Sequence, residues 1–344
     1  MNIRRLPPQL VTLAFGCVVI APRISEAQNW RVMQLESQDW VDAALPFDRG
    51  IADLHRRLLE LRTTASVMQT TAHPDDEQSG LLTYFARGVG ARTSLLTLNR
   101  GEAGANAIGS ELFDALGLVR TEELLLAGRY YGLSDQYFTS AADYGYSKTV
   151  REAARSWDTT VVIGDMVHAI RTNQPLVVIS RWFGTERDGH GQHSMAGALT
   201  PLAVAAAADP SRYPEQIRNE GLRPWRVLRL FRSNLPASDG ADVVIDPARY
   251  DPWLGESYQA LGANGLSRQR SQTSGQPSNN DAPAPQRLQL MHGTRVASDS
   301  DLFSGLDTSL PGVFAVVGET EPKGARATLR RADDATRRAI ASLD

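Results

Sequence analysis

Cysteine is almost absent: Cys17 is the only one in 344 residues. It sits in an apolar run, residues 11–21, that follows Arg4 and Arg5 and precedes Ser25-Glu26-Ala27. A basic start, a short apolar core and small residues at the cleavage position form a secretory signal peptide, with cleavage expected after Ala27. The run is too short to span a bilayer comfortably, and Ala14-Phe15-Gly16 make a poor lipoprotein signal ahead of Cys17. A periplasmic or secreted protein is therefore expected, with no stable membrane insertion after processing. Without the leader there is no thiol, which excludes disulfides and thiolate metal sites. Any metal must sit on nitrogen and oxygen.

Other absences narrow the function. The formal net charge is -3, and no basic patch stands out, so nucleic acid is not an expected partner. No Gly-x-Gly-x-x-Gly opens a helix after a strand, and the glycine-rich stretch 100–107 lacks the Lys-Ser/Thr ending of a phosphate loop. No internal repeat is visible. The apolar fraction of 42% and the charged fraction of 22% are those of an ordinary globular chain with a sizeable core.

What is present is an alternation of strands and helices. Residues 28–47 hold Trp30 and Trp40 without a clear period and are expected to pack on the main domain. The spacing of Ile51, Leu54, Leu58, Leu59 and Leu61 predicts a helix over 48–62. A strand over 65–71 runs into Ala72-His73-Pro74-Asp75-Asp76-Glu77, where proline ends it. Helices follow over 78–87, 111–127, 160–171 and 194–208, and strands over 93–98, 176–180, 225–231 and 243–245. Strands alternating with helices indicate an α/β sandwich with a mainly parallel sheet. The Ser, Gln, Asn and Pro-rich stretch 266–285 reads as a mobile loop. Residues 302–317 are expected to pack back on the core and 325–343 to form a charged helix. The expected division is a signal peptide over 1–27, one catalytic domain over 28–320, and a polar helical tail or linker over 321–344.

Two clusters carry the chemistry. His73, Asp75 and Asp76 follow the first strand, and His190 and His193 follow a later buried strand through the glycine-rich loop 184–191. Loops at the carboxyl ends of a parallel sheet are its usual ligand sites, and imidazole with carboxylate suits a borderline divalent metal such as zinc. An Asp-Asp-Glu run before a helix is also ordinary N-terminal capping, and His-x-x-Asp alone is not diagnostic.

Ala72-His73-Pro74-Asp75-Asp76-Glu77, followed by Gly189-His190-Gly191-Gln192-His193, resembles the PIG-L family of N-acetylglucosaminyl-phosphatidylinositol de-N-acetylases and the LmbE-like proteins. The second motif keeps both histidines but has Gly-Gln where that family commonly has Pro-Asp. Arg100-Gly101-Glu102 and Arg120-Thr121-Glu122-Glu123-Leu124 also match family segments that line the substrate pocket. The resemblance covers roughly residues 48–250. It implies a Rossmann-like three-layer sandwich and one zinc ion held by His73, Asp76 and His193. Asp75 would be the general base and a protonated His190 would face the developing oxyanion. The implied reaction is hydrolysis of an N-acyl group, acetyl in that family, on an amino sugar or glycoconjugate. Hydrolysis of another amide or an ester, and a non-catalytic carbohydrate-binding envelope protein, stay open as alternatives.

Arg100, Glu102 and Arg120 are candidate substrate contacts, with salt bridges among Arg and Glu neighbours as the plainer alternative. Glu77 is expected to cap the next helix or support a ligand. Asp188 either orients His190 or satisfies loop amides. His55 and His168 read as packed or surface residues, and His292 as a weak candidate for the pocket. Tyr130, Tyr131, Tyr137, Phe138, Tyr144 and Tyr146 could form a cleft wall.

Overall fold

A computed structural model describes residues 33–35, 45–273, 275 and 285–343. The expected signal peptide, Trp30, Trp40 and the polar stretch 276–284 lie outside the described residues. Among the described residues, eight strands form one sheet: β1 (Met33–Leu35), β2 (Ser66–Thr71), β3 (Arg92–Thr97), β4 (Asp135–Phe138), β5 (Val177–Ser180), β6 (Arg229–Arg232), β7 (Val243–Ile245) and β8 (Gln286–Gly293). Their order is β1-β4-β3-β2-β5-β6-β8-β7. The five central strands are parallel, and β1, β8 and β7 add antiparallel pairings at the edges.

Successive side chains of a strand point to opposite faces. Leu95 and Phe138 accordingly join Leu82, Leu124, Ala127 and Tyr131 on one face. Their neighbours Leu96 and Tyr137 belong to a separate cluster with Met166, Ile170, Leu199 and Ala203. Helices α2 (Ser79–Thr83) and α3 (Asp114–Tyr131) supply the first cover, and α4 (Thr159–Asn173) and α5 (Gly191–Ala208) the second. Each fully buried Leu or Phe contributes about 1.5–3 kcal/mol relative to exposure. The result is the expected α/β, Rossmann-like three-layer sandwich.

The central strand is poor in apolar residues. All six residues of β2 are buried, yet only Val67 and Met68 are hydrophobic. Its polar groups are paired instead: Thr70 Oγ1 lies 2.8 Å from Thr200 Oγ1, and Thr71 bonds Thr97 at 3.1 Å. From β2 the chain steps outward to β3 and β4, then returns to β5 on the other side of β2. The border between β2 and β5 is therefore the switch point where a crevice opens at the carboxyl ends. Both histidine-bearing loops leave the sheet there.

Some boundaries differ from expectation. The helix expected over 78–87 is α2 followed by a wider π-helical turn, Tyr84–Val89. The expected strand 225–231 shortens to β6, and α3 runs on to Tyr131. Leu302 and Phe303 are buried, as expected for the return to the core. Before the terminal stretch, Glu123 holds Ser271 through its backbone N–H at 2.9 Å, so the start of the expected loop is tied down. Helix α6 (Ala325–Ala341) packs on α1 (Gly50–Leu61). Among the described residues no helix is long and apolar enough to cross a membrane.

One close approach fixes the loop after β5. A Cβ added at Gly197 of α5 would sit 2.2 Å from the backbone nitrogen of Gly184. Gly197→Ala is expected to lower stability by about 1–3 kcal/mol through overpacking, measured by thermal or urea denaturation, because backbone cannot yield as a side chain can.

Candidate metal centre

The turn after β2 is held by its own side chains. Asp76 Oδ2 accepts the N–H of Ala72 at 3.1 Å and of His73 at 2.7 Å. Asp75 has φ +88°, an uncommon conformation for a residue with a Cβ, and its N–H donates to Glu77 Oε2 at 2.9 Å. The two adjacent carboxylates consequently diverge. Asp76 turns toward His73 Nδ1 (3.2 Å) and His193 Nε2 (3.1 Å), whereas Asp75 Oδ1 meets Arg120 Nη2 at 3.1 Å.

His190 and His193 come from the start of α5. His193 Nδ1 donates to the carbonyl of Asp188 at 3.3 Å, and its ring stacks on Trp182 with centroids 3.9 Å apart. That leaves Nε2 toward Asp76. Candidate ligand nitrogens of His73, His190 and His193 lie within 4.8 Å of one another. His190 Nδ1 is buried without a hydrogen-bond partner among the described residues. Clustered imidazoles, an inward carboxylate and an orphaned ring nitrogen fit a bound cation.

Electrostatics separates the groups. Burial would raise Asp76, but the charge and hydrogen bonds of His193 and His73 hold it well below the usual carboxylate range. Asp75, exposed in the cleft, is pushed up to about 6 by desolvation and by Asp76, against the pull of Arg120. Burial works against charge on His73, yet its bond to Asp76 raises it. Desolvation and the two neighbouring imidazoles lower His190 to about 4. The protonated His190 expected from the sequence is thus disfavoured at neutral pH; the neutral ring can still donate one N–H.

These groups line a cleft of about 660 Å³ with Arg120, Asp143, Tyr146, Arg181 and Trp182, a size suited to a small ligand. Another cavity, of about 680 Å³, opens at the opposite end of the strands. It contains no histidine, and its Arg56 and Arg87 are engaged by Asp48.

The remaining candidates separate clearly. Arg120 lies beneath the floor, donating to Pro74 O, Gly101 O and Asp75, and a Cβ at Gly101 or Gly104 would collide with its guanidinium. Arg100 and Glu102 are not brought to the cleft lining. Arg100 lies over Phe138, and Glu102 accepts the N–H groups of Arg100 and Asp143. Glu77 supports the turn and accepts from Tyr131 at 2.8 Å; burial lifts it to about 7. Asp188 satisfies the amides of Phe183, Gly184 and Thr185. His55 stacks on Trp253, His168 bonds Glu220, and His292 lies on β8 outside the cleft lining. Of the six aromatics proposed as a wall, only Tyr146 lines the cleft.

Sequence reasoning missed Arg181, Trp182 and Asp143. All three follow the carboxyl ends of β4 or β5, which was the available signal; β4 itself went unseen because Asp135-Gln136 begins it without apolar alternation. Arg120→Met is expected to cost about 2–4 kcal/mol of stability by stranding buried acceptors, read by chemical denaturation.

Residues 68–204 match the PIG-L family, described as GlcNAc-PI de-N-acetylase. That segment is similar to a PIG-L/LmbE-like deacetylase domain. A 1D-myo-inositol 2-acetamido-2-deoxy-alpha-D-glucopyranoside deacetylase of Geodermatophilus obscurus is 32% identical over 183 residues, covering 48% of this chain and 60% of that protein. An N,N'-diacetylchitobiose deacetylase from Pyrococcus horikoshii is 18% identical with a TM-score of 0.47, covering 67% of this chain and 82% of its own. A 4-carboxy-2-hydroxymuconate hydratase from Pseudomonas putida is also 18% identical, with a TM-score of 0.46, covering 69% and 100%. Those two likenesses bear on neither reaction nor substrate.

Proposed function

We propose that this protein is a zinc-dependent hydrolase that removes an N-acyl group, in the first instance acetyl, from an amino sugar or glycoconjugate. One observation carries the reading: a divergent carboxylate, Asp75, stands beside the His73, Asp76 and His193 cluster in an accessible cleft. A purely structural metal site has no need of that second carboxylate. The family match and the deacetylase relative support the acyl and sugar classes.

His73, Asp76 and His193 would hold one zinc ion per chain. Bound there, the ion would supply Lewis acidity, lowering the pKa of water and polarising the acyl carbonyl. Asp75 takes the proton of the attacking water and passes it to the departing amine, so amide and water yield carboxylate and amine. Neutral His190 donates its N–H where negative charge develops on oxygen. Arg120 keeps Asp75 aimed into the cleft.

The test is acetate release from a panel of N-acetylated amino sugars by purified protein. Release should cease on chelation and return with zinc. No acetate from any member, or release indifferent to chelation, contradicts the reading.

The site is assigned to a periplasmic or secreted protein, on the strength of Arg4-Arg5, the apolar run and Ser25-Glu26-Ala27. N-terminal sequencing of exported protein is expected to begin near Gln28. A predominant species retaining Met1 contradicts this.

A further inference from the structure

Gln192 stands directly before His193, where the resembling motif commonly has Asp. We propose that Gln192 is a positioning residue that fixes which nitrogen of His73 faces the cleft. The inference deepens the metal-site reading and rests on it for its consequence, although the tautomer it predicts can be measured without metal.

Two backbone groups in this network have a polarity that cannot change. The backbone N–H of Gly101 can only donate, and it bonds Asn99 Oδ1 at 2.8 Å. Asn99 therefore presents Nδ2, which donates to Gln192 Oε1 at 2.8 Å. At the other end the carbonyl of Gly145 can only accept, and it takes Gln192 Nε2 at 2.8 Å. The same Nε2 donates to Asp143 Oδ1 at 2.7 Å. Both ends give one amide orientation, with Oε1 toward His73.

His73 Nε2 lies 2.8 Å from that oxygen, and an amide oxygen only accepts. Nε2 must carry a proton; Nδ1 faces the carboxylate of Asp76 at 3.2 Å, and a proton there is the one a cation would replace. The nitrogen left for a cation is Nδ1, the one facing Asp76. Asn99 and Gln192 are both fully buried, so water does not compete for these bonds. A neutral amide thus orients the ring directly, and the negative charge sits one residue further out, on Asp143. Outer partners of this kind set the tautomer and orientation of ligating histidines.

The experiment uses the processed full chain labelled with 15N-histidine, metal-free above the imidazole titration range and again with added zinc. Long-range proton–nitrogen correlation, with His73→Gln supplying the assignment, is expected to show a single Nε2–H form for His73. Zinc should then shift the Nδ1 resonance. In Gln192→Leu the metal-free ring should lose its single tautomer, and zinc affinity by chelator competition should fall about 10- to 100-fold. An Nδ1–H ring in the native protein overturns the proposal, as does Gln192→Leu with native tautomer and native affinity. The native spectrum decides even if Gln192→Leu does not fold. A chain that takes up no zinc refutes the functional reading while still reporting the tautomer.

Discussion

Asp75→Asn is expected to lower N-deacetylation by about 10²- to 10⁴-fold, the usual contribution of a positioned general base, while leaving metal content near the native level. The two carboxylates of the turn point different ways: Asp76 faces His73 and His193, and Asp75 faces Arg120. Asparagine keeps the shape and can still accept from Arg120, so the turn should survive. It cannot take a proton from water as a carboxylate does. Metal content by elemental analysis and turnover on an N-acetyl substrate separate the two roles. Near-native turnover in metal-loaded Asp75→Asn sinks the assignment of the base, whatever the metal result.

The second large effect divides the two histidines at the start of α5. His193→Ala should lose both metal and turnover, because the ring takes part in the cluster through Nε2 and is locked by Trp182 and the carbonyl of Asp188. His190→Ala should retain the metal and lose about 10²- to 10³-fold in turnover, the cost of one oxyanion donor. Its Nδ1 is buried and unpartnered among the described residues, and its lowered basicity keeps it a neutral donor. Metal lost equally from both variants would instead make His190 a ligand, as the three-imidazole clustering also permits.

The sequence carried the site further than it carried the fold's edges. His73, Asp75, Asp76, His190 and His193 were legible because they fall in two short motifs directly after strands, and the structure brings them to one switch point. The periodic helices over 50–61, 159–173 and 191–208 were found for the same reason: long segments leave a strong pattern. Short β4 and β8 were not found. β4 is only four residues long, and the apolar alternation of β8 is diluted by Gln and Arg. The polar second layer was also illegible. Nothing in local spacing places Asp143 and Asn99 against Gln192, since those contacts bridge separations of 49 and 93 residues. Arg120 lines the cleft, as a substrate contact would, but an arginine in a sequence carries no mark of burial, so its bonds to Pro74 and Gly101 emerge only from packing.

The most direct test is a crystal structure of the zinc-loaded protein with anomalous data at the zinc edge. The account predicts one peak per chain, within bonding distance of His73 Nδ1, an oxygen of Asp76 and His193 Nε2, with the Asp75 carboxylate beside it but not bound. No peak at this cluster, or an ion held by His73, His190 and His193 without Asp76, would contradict it.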